Sequence, residues 1–339
     1  MFKKISLSFV LLLFLFIPVN TFALGPGPDT VFVRVVDVGQ GLCCVVVMPD
    51  NHYMIYDAGP VGCESKLMPM IENYIPSGSA IDLLVLSHTD ADHICAVDEI
   101  CAKYKVKTVL ETGDPRPGKK NWQRMVSAIE AEVRNDNCHD INLGDETLMP
   151  GSTFRFGDTF VTFVCGFNKP LKEWGSLDSA KKHNSICIVM RLTYKGHSIL
   201  FTGDTVGRSI GDPPDTCMAA EKYMVEYSES VSIASDVLIA PHHGSDTASS
   251  TDFIKEVNPE YVIFSAGRGY EHPHKAAVNR IIGILNLASS KIFRTDLGDN
   301  EGTDEWADIH TGEGDSSWDD NVDILLPASG NIQVEYSSS

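Results

Sequence analysis

Basic residues are scarce in this sequence. Lysine and arginine together number 27 against 46 aspartates and glutamates, and the formal net charge is −19 at pH 7. Proteins that hold long nucleic acids grip the phosphate backbone with lysine and arginine side chains. The charge therefore argues against long nucleic acid as a partner. It favours a small or neutral substrate, or a substrate whose phosphate meets a bound cation.

Long apolar runs are missing after the first residues. The chain begins with two early lysines, an apolar segment from Leu7 to Val19 and small residues up to Ala23, which is the order of a secretory signal peptide cut near Ala23. The uninterrupted run from Phe9 to Val19 is too short to span a bilayer as a retained anchor. We therefore predict a signal peptide over residues 1–23 and an exported mature chain without a membrane span, periplasmic or secreted. The oligomeric state stays open.

The cysteines lack the paired CxxC spacing of thiolate zinc sites. Cys43 and Cys44 are adjacent, and Cys95 and Cys101 lie six positions apart without a second pair. Thiolate zinc sites need such short, regular spacing. We therefore expect the nine cysteines to be buried thiols with one or two disulfide bridges, as exported chains permit.

Strand and helix patterns follow the same order in both halves of the chain, with strands first and then alternating strands and helices. The predicted helices cover residues 65–74, 94–104, 121–134, 252–257 and 275–287. The predicted strands after the N-terminal meander cover residues 81–87, 106–111, 153–156, 159–164, 185–194, 198–201, 237–240 and 261–265, with a final hairpin over 322–336. This pattern predicts an α/β fold with two mixed sheets face to face and helices outside.

One acidic segment departs from this regularity. Residues 299–320 hold nine acidic residues and no lysine or arginine, which is typical of a solvated loop. Oxygen-rich loops also suit calcium, but the spacing does not reproduce an EF-hand. We therefore predict a single domain over residues 24–339 that contains this segment as a loop.

Four metal-binding side chains follow one predicted strand within six positions. They are His88, Asp90, Asp92 and His93 in the segment SHTDADH. Ligands gather outside the carboxyl ends of strands in α/β sheets, and neutral imidazoles with carboxylates suit Zn²⁺ or Mn²⁺. A lone histidine would more often be structural, but this density indicates a site for two divalent metal ions, Zn or Mn.

One loop cannot fill two coordination shells, so further ligands are expected at other strand ends. Asp204 follows the strand over 198–201, and Gly203 before it permits a close backbone approach. The remaining candidates are the histidines next to predicted strand ends, namely His183, His242, His243, His272 and His274.

Several motifs occur together in a fixed order: DVGQG, SHTDADH, TGD, PHHGS, and SAGRG followed by HPH. They resemble the metallo-β-lactamase superfamily, whose HxHxDH signature here has Asp90 in place of its second histidine. Within that superfamily they are similar to the hydrolase domain of DNA-uptake competence channel proteins and to free-standing exported hydrolases. The resemblance extends from about Val31 to Leu297 and implies a four-layer αβ/βα sandwich.

The resemblance also implies roles for individual residues. One metal would be held by His88, Asp90 and His183, and the second by Asp92, His93 and one histidine of PHHGS, either His242 or His243, with Asp204 bridging both. The competence-type branch has asparagine at the position matched here to His183. Asp57 and His274 would orient the ligands, and Asp92, His243 and His272 would act on the substrate.

Two such ions, roughly 3.5 to 4 Å apart, supply hydroxide and stabilise an in-line displacement, so no side-chain nucleophile is required. Aspartate at position 90 favours phosphodiester hydrolysis, because hard oxygen ligands suit phosphate-processing ions. The alternatives are an exported nuclease, which the competence-protein resemblance implies, and a lactonase or β-lactamase. A non-catalytic binding module is a further alternative.

Overall fold

The structure is a computed structural model that describes residues 24–135, 138–297 and 319–337. The predicted signal peptide, residues 1–23, lies outside the described residues. Residues 299–318 of the predicted acidic loop, with their alternative of a calcium site, also lie outside them.

The first half of the chain alternates from a strand meander to strands separated by helices. Its elements are β1 (Thr30–Val35), β2 (Cys44–Met48), β3 (His52–Tyr56), α1 (Glu64–Tyr74), β4 (Ala80–Ile81), β5 (Leu83–Val85), α2 (Ala91–Ile94), α3 (Val97–Lys103), β6 (Lys105–Val106), β7 (Thr108–Glu111), α4 (Lys120–Arg134) and β8 (His139–Asn142).

The second half repeats this order and ends in a hairpin. Its elements are β9 (Thr153–Phe156), β10 (Thr159–Cys165), α5 (Ser179–Asn184), β11 (Val189–Tyr194), β12 (His197–Phe201), α6 (Ala219–Tyr227), β13 (Val237–Ile239), α7 (Thr251–Val257), β14 (Tyr261–Phe264), α8 (Lys275–Leu285), β15 (Ile292–Arg294), β16 (Asn321–Pro327) and β17 (Gln333–Ser337).

Two mixed sheets form the centre of the described structure, as the sequence predicts. The first has the order β17-β16-β1-β2-β3-β5-β7-β8 and is antiparallel up to β3 and parallel from β3 to β8. The second has the order β15-β14-β13-β12-β11-β10-β9, antiparallel from β9 to β12 and parallel from β12 to β15. The α/β class with two mixed sheets is therefore confirmed.

Alternating side chains of the strands build the layers. In β1, Val31 and Val33 pack into the core between the two sheets, which also receives Phe201 from the second sheet. Phe32 points to the other face, into a separate core under helices that contribute Ile71 and Ile129. Fully burying a side chain of this size stabilises the fold by roughly 1.5–3 kcal/mol. Helices therefore cover the outer face of each sheet, which gives the predicted four layers.

Two predicted elements are each divided in the structure. The predicted strand over 81–87 becomes β4, which pairs with β6 in a small separate sheet, and β5 in the large sheet. Asp82 lies at the division, where its carboxylate accepts hydrogen bonds from Tyr53 N–H and Lys107 Nζ. The predicted helix over 94–104 becomes α2 and α3, because the N–H groups of Cys95 and Ala96 donate to the loop at 58–59.

Short elements were missed by the sequence pattern. They include α5 and α6, and the edge strands β8 and β15. The predicted strand over 185–194 begins only at Val189 because residues 185–188 form the turn and connection that follow α5. Helices of six and nine residues are marginal by themselves and depend on tertiary packing, so their periodicity is weak in the sequence.

The expected disulfide bridges are absent, because all nine cysteines, each within the described residues, are free thiols. Six of them are buried. Burial raises the pKa of the Cys63 and Cys95 thiols to about 12, which suppresses the reactive thiolate. The cysteines therefore act as small apolar side chains. Separately, no helix in the described part of the chain has the length and hydropathy needed to span a bilayer.

A buried ion pair fastens the final hairpin to the first sheet. Arg34 of β1 forms two 2.7 Å hydrogen bonds with the Asp323 carboxylate of β16, and both side chains are buried.

Arg34→Met leaves the carboxylate of Asp323 without its cationic partner, so we expect the free energy of unfolding to fall by about 3–5 kcal/mol. Urea unfolding measures this free energy, with a chelator in all samples so that metal binding does not affect the comparison. The double variant Arg34→Met/Asp323→Leu is the control and should recover most of the loss. An unaltered midpoint for Arg34→Met would contradict the prediction.

Candidate functional site

The candidate ligands follow the carboxyl ends of strands in both sheets. The loop from His88 to His93 follows β5, Asp204 follows β12, and His242 and His243 follow β13. The carboxyl ends of parallel strands share one edge of a sheet, where ligands commonly bind. The two sheets bring these edges together, so side chains more than a hundred positions apart in the sequence converge.

A glycine permits a close approach between a loop of the second sheet and a loop of the first sheet. Gly203 adopts φ +53°, and a Cβ atom there would lie 2.6 Å from Cβ of Ser87. Such a contact is too short for any side chain, and the positive φ also favours glycine. Gly203 therefore allows Asp204 to lie directly against the loop that begins at Ser87.

Four side chains converge at the centre: Asp92, His93, Asp204 and His243. One possible ligand atom from each lies within 4.8 Å of the others. Nε2 of His93 and Nε2 of His243 each lie 3.2 Å from Oδ1 of Asp204. These three atoms are buried and have no hydrogen bond of acceptable geometry. Buried polar atoms without partners are costly, and a divalent cation among them would satisfy all three. The residues therefore fit a metal ion.

Hydrogen bonds orient both imidazole rings. Oδ2 of Asp57 lies 2.7 Å from Nδ1 of His93 and also accepts a 2.7 Å hydrogen bond from the Ser87 hydroxyl. Nδ1 of His243 lies 2.7 Å from the carbonyl oxygen of Ser265. A histidine that donates from Nδ1 to such an acceptor presents the Nε2 lone pair to a metal. Asp57 therefore lies where it can orient the ring of His93.

A second group of donors faces the other oxygen of Asp204. Nε2 of His242 and Nε2 of His88 lie 3.8 and 3.9 Å from Asp204 Oδ2. Oδ2 of Asp90 lies 3.6 Å from the same His88 nitrogen. The amide of Asn184 is 3.1 Å from His242 Nε2. Asp204 thus presents one carboxylate oxygen to each group.

A cavity of about 470 Å³ lies beside these groups. Its lining includes Asp90, Asp92, Asn184, Asp204, His242 and His243, and also His272 and His274. His272 is buried, its Nδ1 has no hydrogen-bond partner, and its ring stacks on that of His243 with 6.1 Å between centroids. Nδ1 of His274 instead accepts a 3.0 Å hydrogen bond from the Asp246 N–H. His272 is thus free to contact a ligand, whereas His274 braces the loop after β13.

Comparison with known proteins relates part of the chain to a protein family. The sequence profile of the metallo-β-lactamase superfamily matches residues 36–167. That part of the chain is therefore similar to the metallo-β-lactamase superfamily. The two mixed sheets with outer helices and the buried ligand cluster are the hydrolase fold and the metal-binding residues that this superfamily implies.

The resemblance to competence proteins is also confirmed. Competence protein ComA of Neisseria gonorrhoeae is 28% identical over 78% of this chain and 31% of its own length. ComE operon protein 3 of Bacillus subtilis is 26% identical over 64% of this chain and 24% of its own length. The chain thus spans about a quarter to a third of these relatives. The metallo-β-lactamase fold protein YhfI of Bacillus subtilis is similar with a TM-score of 0.46 and 13% identity, over 78% of this chain and 95% of that protein.

His183 does not belong to either of the two groups of donors around Asp204. Its Nδ1 lies 2.7 Å from Oδ2 of Asp114, which also accepts a hydrogen bond from Thr89. Asn184 lines the cavity instead. Successive residues of a helix point roughly 100° apart, so α5 directs the two side chains differently. The sequence contained a signal for Asn184. Competence-type proteins have asparagine at this ligand position, and a match shifted by one residue places that asparagine at Asn184.

Arg116 is a neighbour of the site that the sequence reasoning missed. Its guanidinium contacts the Asp90 carboxylate and lies 4.0 Å from Asp114. Burial raises the pKa of Asp90, but the hydrogen bond and charge of His88, together with Arg116, outweigh it and hold that pKa below its ordinary value. Asp90 is therefore held as a carboxylate, the form that binds a metal.

The chain also contains the GxSxG pattern of serine hydrolases, at residues 207–211. That motif works on a sharp turn between a strand and a helix. Here β12 ends at Phe201 and α6 begins only at Ala219. Ser209 N–H and the Arg208 guanidinium both donate to Asp212, so the pattern forms a surface turn and supplies no nucleophile elbow.

The carboxylates around the centre set the protonation of its histidines. Burial lowers the pKa of His93 and His243, but the charge of Asp204 and its hydrogen bond, together with the charge of Asp92 and, at His93, that of Asp57, outweigh burial and raise both pKa values above the ordinary value. Burial lowers the pKa of His242 to about 4 and that of His272 to about 2. The metal-free site therefore favours protons on His93 and His243, and it has neutral rings at His242 and His272 at pH 7.

Metal binding should therefore release protons. Raised pKa values mean that a cation must displace protons from His93 and His243, so we expect about one to two protons released at pH 7 and weaker affinity as pH falls. Titration calorimetry of Zn²⁺ into chelator-stripped protein, in buffers of different ionisation enthalpy, measures the number. A heat that does not depend on the buffer would refute the expectation.

Asp57 should matter more for metal affinity than His183. Asp57→Asn keeps the shape and tolerates the φ of +62° at this position, but it weakens the acceptor for His93. We expect metal affinity to fall about 10- to 100-fold. His183→Ala is the matched control and should keep wild-type affinity. Competition with a chromogenic chelator measures both, and the reverse ranking would restore His183 as a ligand.

Proposed function

We propose that this chain is a binuclear metal-dependent hydrolase that cleaves a phosphodiester bond in a small substrate, using two Zn or Mn ions. The observation that carries this proposal is the position of Asp204, whose Oδ1 faces His93 and His243 and whose Oδ2 faces His88 and His242. A carboxylate shared in this way is suited to bridge two cations. Paired cations are common in enzymes that displace phosphate esters.

The ligands of the two ions divide between the two oxygens of Asp204. One ion would be held by Asp92, His93, His243 and Oδ1, and the other by His88, Asp90, His242 and Oδ2. Asn184 would assist the second group through its contact with His242. When bound, such ions supply Lewis acidity and a hydroxide nucleophile at neutral pH.

Two side chains of the chain are placed to act on the substrate. Asp92 lines the cavity, and its Oδ2 lies 3.7 Å from His243 Nε2 and 3.9 Å from His93 Nε2, so it can orient the attacking water and accept its proton. His272 is neutral at pH 7 because burial lowers its pKa to about 2. A neutral imidazole donates one hydrogen bond, so His272 would stabilise an oxyanion better than it would protonate a leaving group.

The aspartates and the charge support a small phosphodiester. Asp90, Asp92 and Asp204 give the site hard oxygen donors, which suit ions that process phosphate. None of the described side chains that line the cavity is a lysine or arginine, and the chain has a net charge of −19. A nuclease is the second candidate because Competence protein ComA of Neisseria gonorrhoeae is similar over much of this chain. The charge makes a long polyanion the weaker choice.

Other activities have less support. A β-lactamase or lactonase would use the same ions, but the aspartate at position 90 departs from the histidine of the HxHxDH signature. A non-catalytic binding module would not need donors at every motif, and here each motif keeps them. Fewer than about one metal equivalent per chain, unchanged by chelation, would support the binding module.

Export is part of the proposal. It is supported by the two lysines and the apolar segment before Ala23. The mass of the protein recovered from the periplasm or the medium tests it. A mature form that begins after Ala23 would support export, and an intact N-terminus in the cytoplasm would contradict it.

The activity is tested with four substrates under matched Zn²⁺ and Mn²⁺. These are bis-p-nitrophenyl phosphate, p-nitrophenyl-phosphorylcholine, single-stranded DNA and nitrocefin. We expect hydrolysis of the small phosphodiesters and its loss on chelation. Asp92→Asn should lower kcat by about 10²- to 10⁴-fold.

The matched control is Asp158→Asn, since Asp158 is an exposed carboxylate paired with Lys195. It should retain wild-type kcat. Hydrolysis of nitrocefin alone would overturn the phosphodiesterase proposal, and preferential cleavage of single-stranded DNA would favour the nuclease.

A further inference from the structure

We propose that the metal cavity has an apolar subsite formed by Tyr270 and Ile210, so that the substrate is a small phosphoester carrying an apolar group, preferably an aromatic ring. This inference rests on the proposed function, because it assigns the substituent of the ester that the metals would hold.

Two large apolar side chains are exposed at the same cavity. Tyr270 is 67% exposed and Ile210 is 68% exposed, and both line the cavity that contains Asp204 and His243. Single exposed apolar residues are ordinary on protein surfaces. Two of them at the entrance to a cluster of metal donors form a surface that a ligand would cover.

A row of rings connects this surface to the metal donors. The ring of Tyr270 lies 5.9 Å from that of His272, centroid to centroid, and the ring of His272 lies 6.1 Å from that of His243. The second pair is nearly parallel, with 20° between planes. A planar group attached to a phosphorus atom at the metals could therefore lie along this row and reach Tyr270.

The charges of the cavity point to the same substrate class. Its described lining includes Asp90, Asp92 and Asp204 and no lysine or arginine. Among the described lining residues, the anionic part of a substrate therefore meets no cationic side chain, so the metal ions would supply its positive partner. Beyond them, Tyr270 and Ile210 offer apolar contacts. The volume of about 470 Å³ is typical of sites for small molecules.

Calorimetric binding of two phosphonates to the metal-loaded protein tests the subsite without requiring turnover. Phenylphosphonate and methylphosphonate share the group that the metals would bind and differ only in the apolar substituent. We expect the phenyl compound to bind about tenfold more tightly, because stacking on an aromatic side chain has about this effect. Tyr270→Ala and Ile210→Ser should each reduce this ratio, and the double variant should bring it close to one.

Two control variants separate the role of the ring from general effects. Tyr270→Phe should keep the phenyl preference because it keeps the ring. Tyr227→Ala removes another exposed tyrosine, 51% exposed on α6, and should also keep the preference. Equal binding of the two phosphonates by the wild type, or a phenyl preference that survives the double variant, would overturn the subsite alone. Binding of neither compound would overturn the proposed phosphoester function together with the subsite.

Discussion

The site depends on one buried carboxylate. Asp204 is 4% exposed, and Nε2 of His88, His93, His242 and His243 all lie within 3.9 Å of its two oxygens. A charged group without water is costly unless opposite charges or strong hydrogen bonds surround it. The four imidazoles come from loops of both sheets, so the arrangement of the sheets is what surrounds this carboxylate. Cations bound by these residues would complete the compensation.

The fold and most donors were predictable because both depend on local sequence. Apolar runs gave the strands, and polar residues directly after them gave the donors. The sequence did not show which of His183 and Asn184 faces the cavity. The directions of these side chains depend on the short helix α5, which is stabilised by packing. Arg116 lies 26 positions from Asp90 and meets it only in the folded chain. The prediction of disulfides was wrong for a similar reason. The composition gives the number of cysteines, but the packing of the chain determines which cysteines lie close enough to form a bridge.

The ions would reverse the charge of the cavity. Asp90, Asp92 and Asp204 together carry three negative charges when ionised, and two divalent cations would exceed them by one positive charge. Such a site matches a phosphodiester, which carries one negative charge. Beyond the cavity the protein is strongly acidic, with a net charge of −19, and repels polyanions. Attraction is therefore confined to the length of a small ligand.

The protein backbone holds the metal loop before any ion binds. The N–H groups of Leu42 and Ala58 donate to the carbonyl oxygens of Asp92 and His93, and Ile188 N–H, from the second half of the chain, donates to Ser87. In zinc fingers, metal binding drives folding, so part of the binding free energy offsets the entropy that the chain loses when it becomes ordered. Here the loop lies against two complete sheets with their own apolar core. Metal binding would therefore change the protonation of His93 and His243 and the charge around Asp204, while the positions of the donors come from the fold.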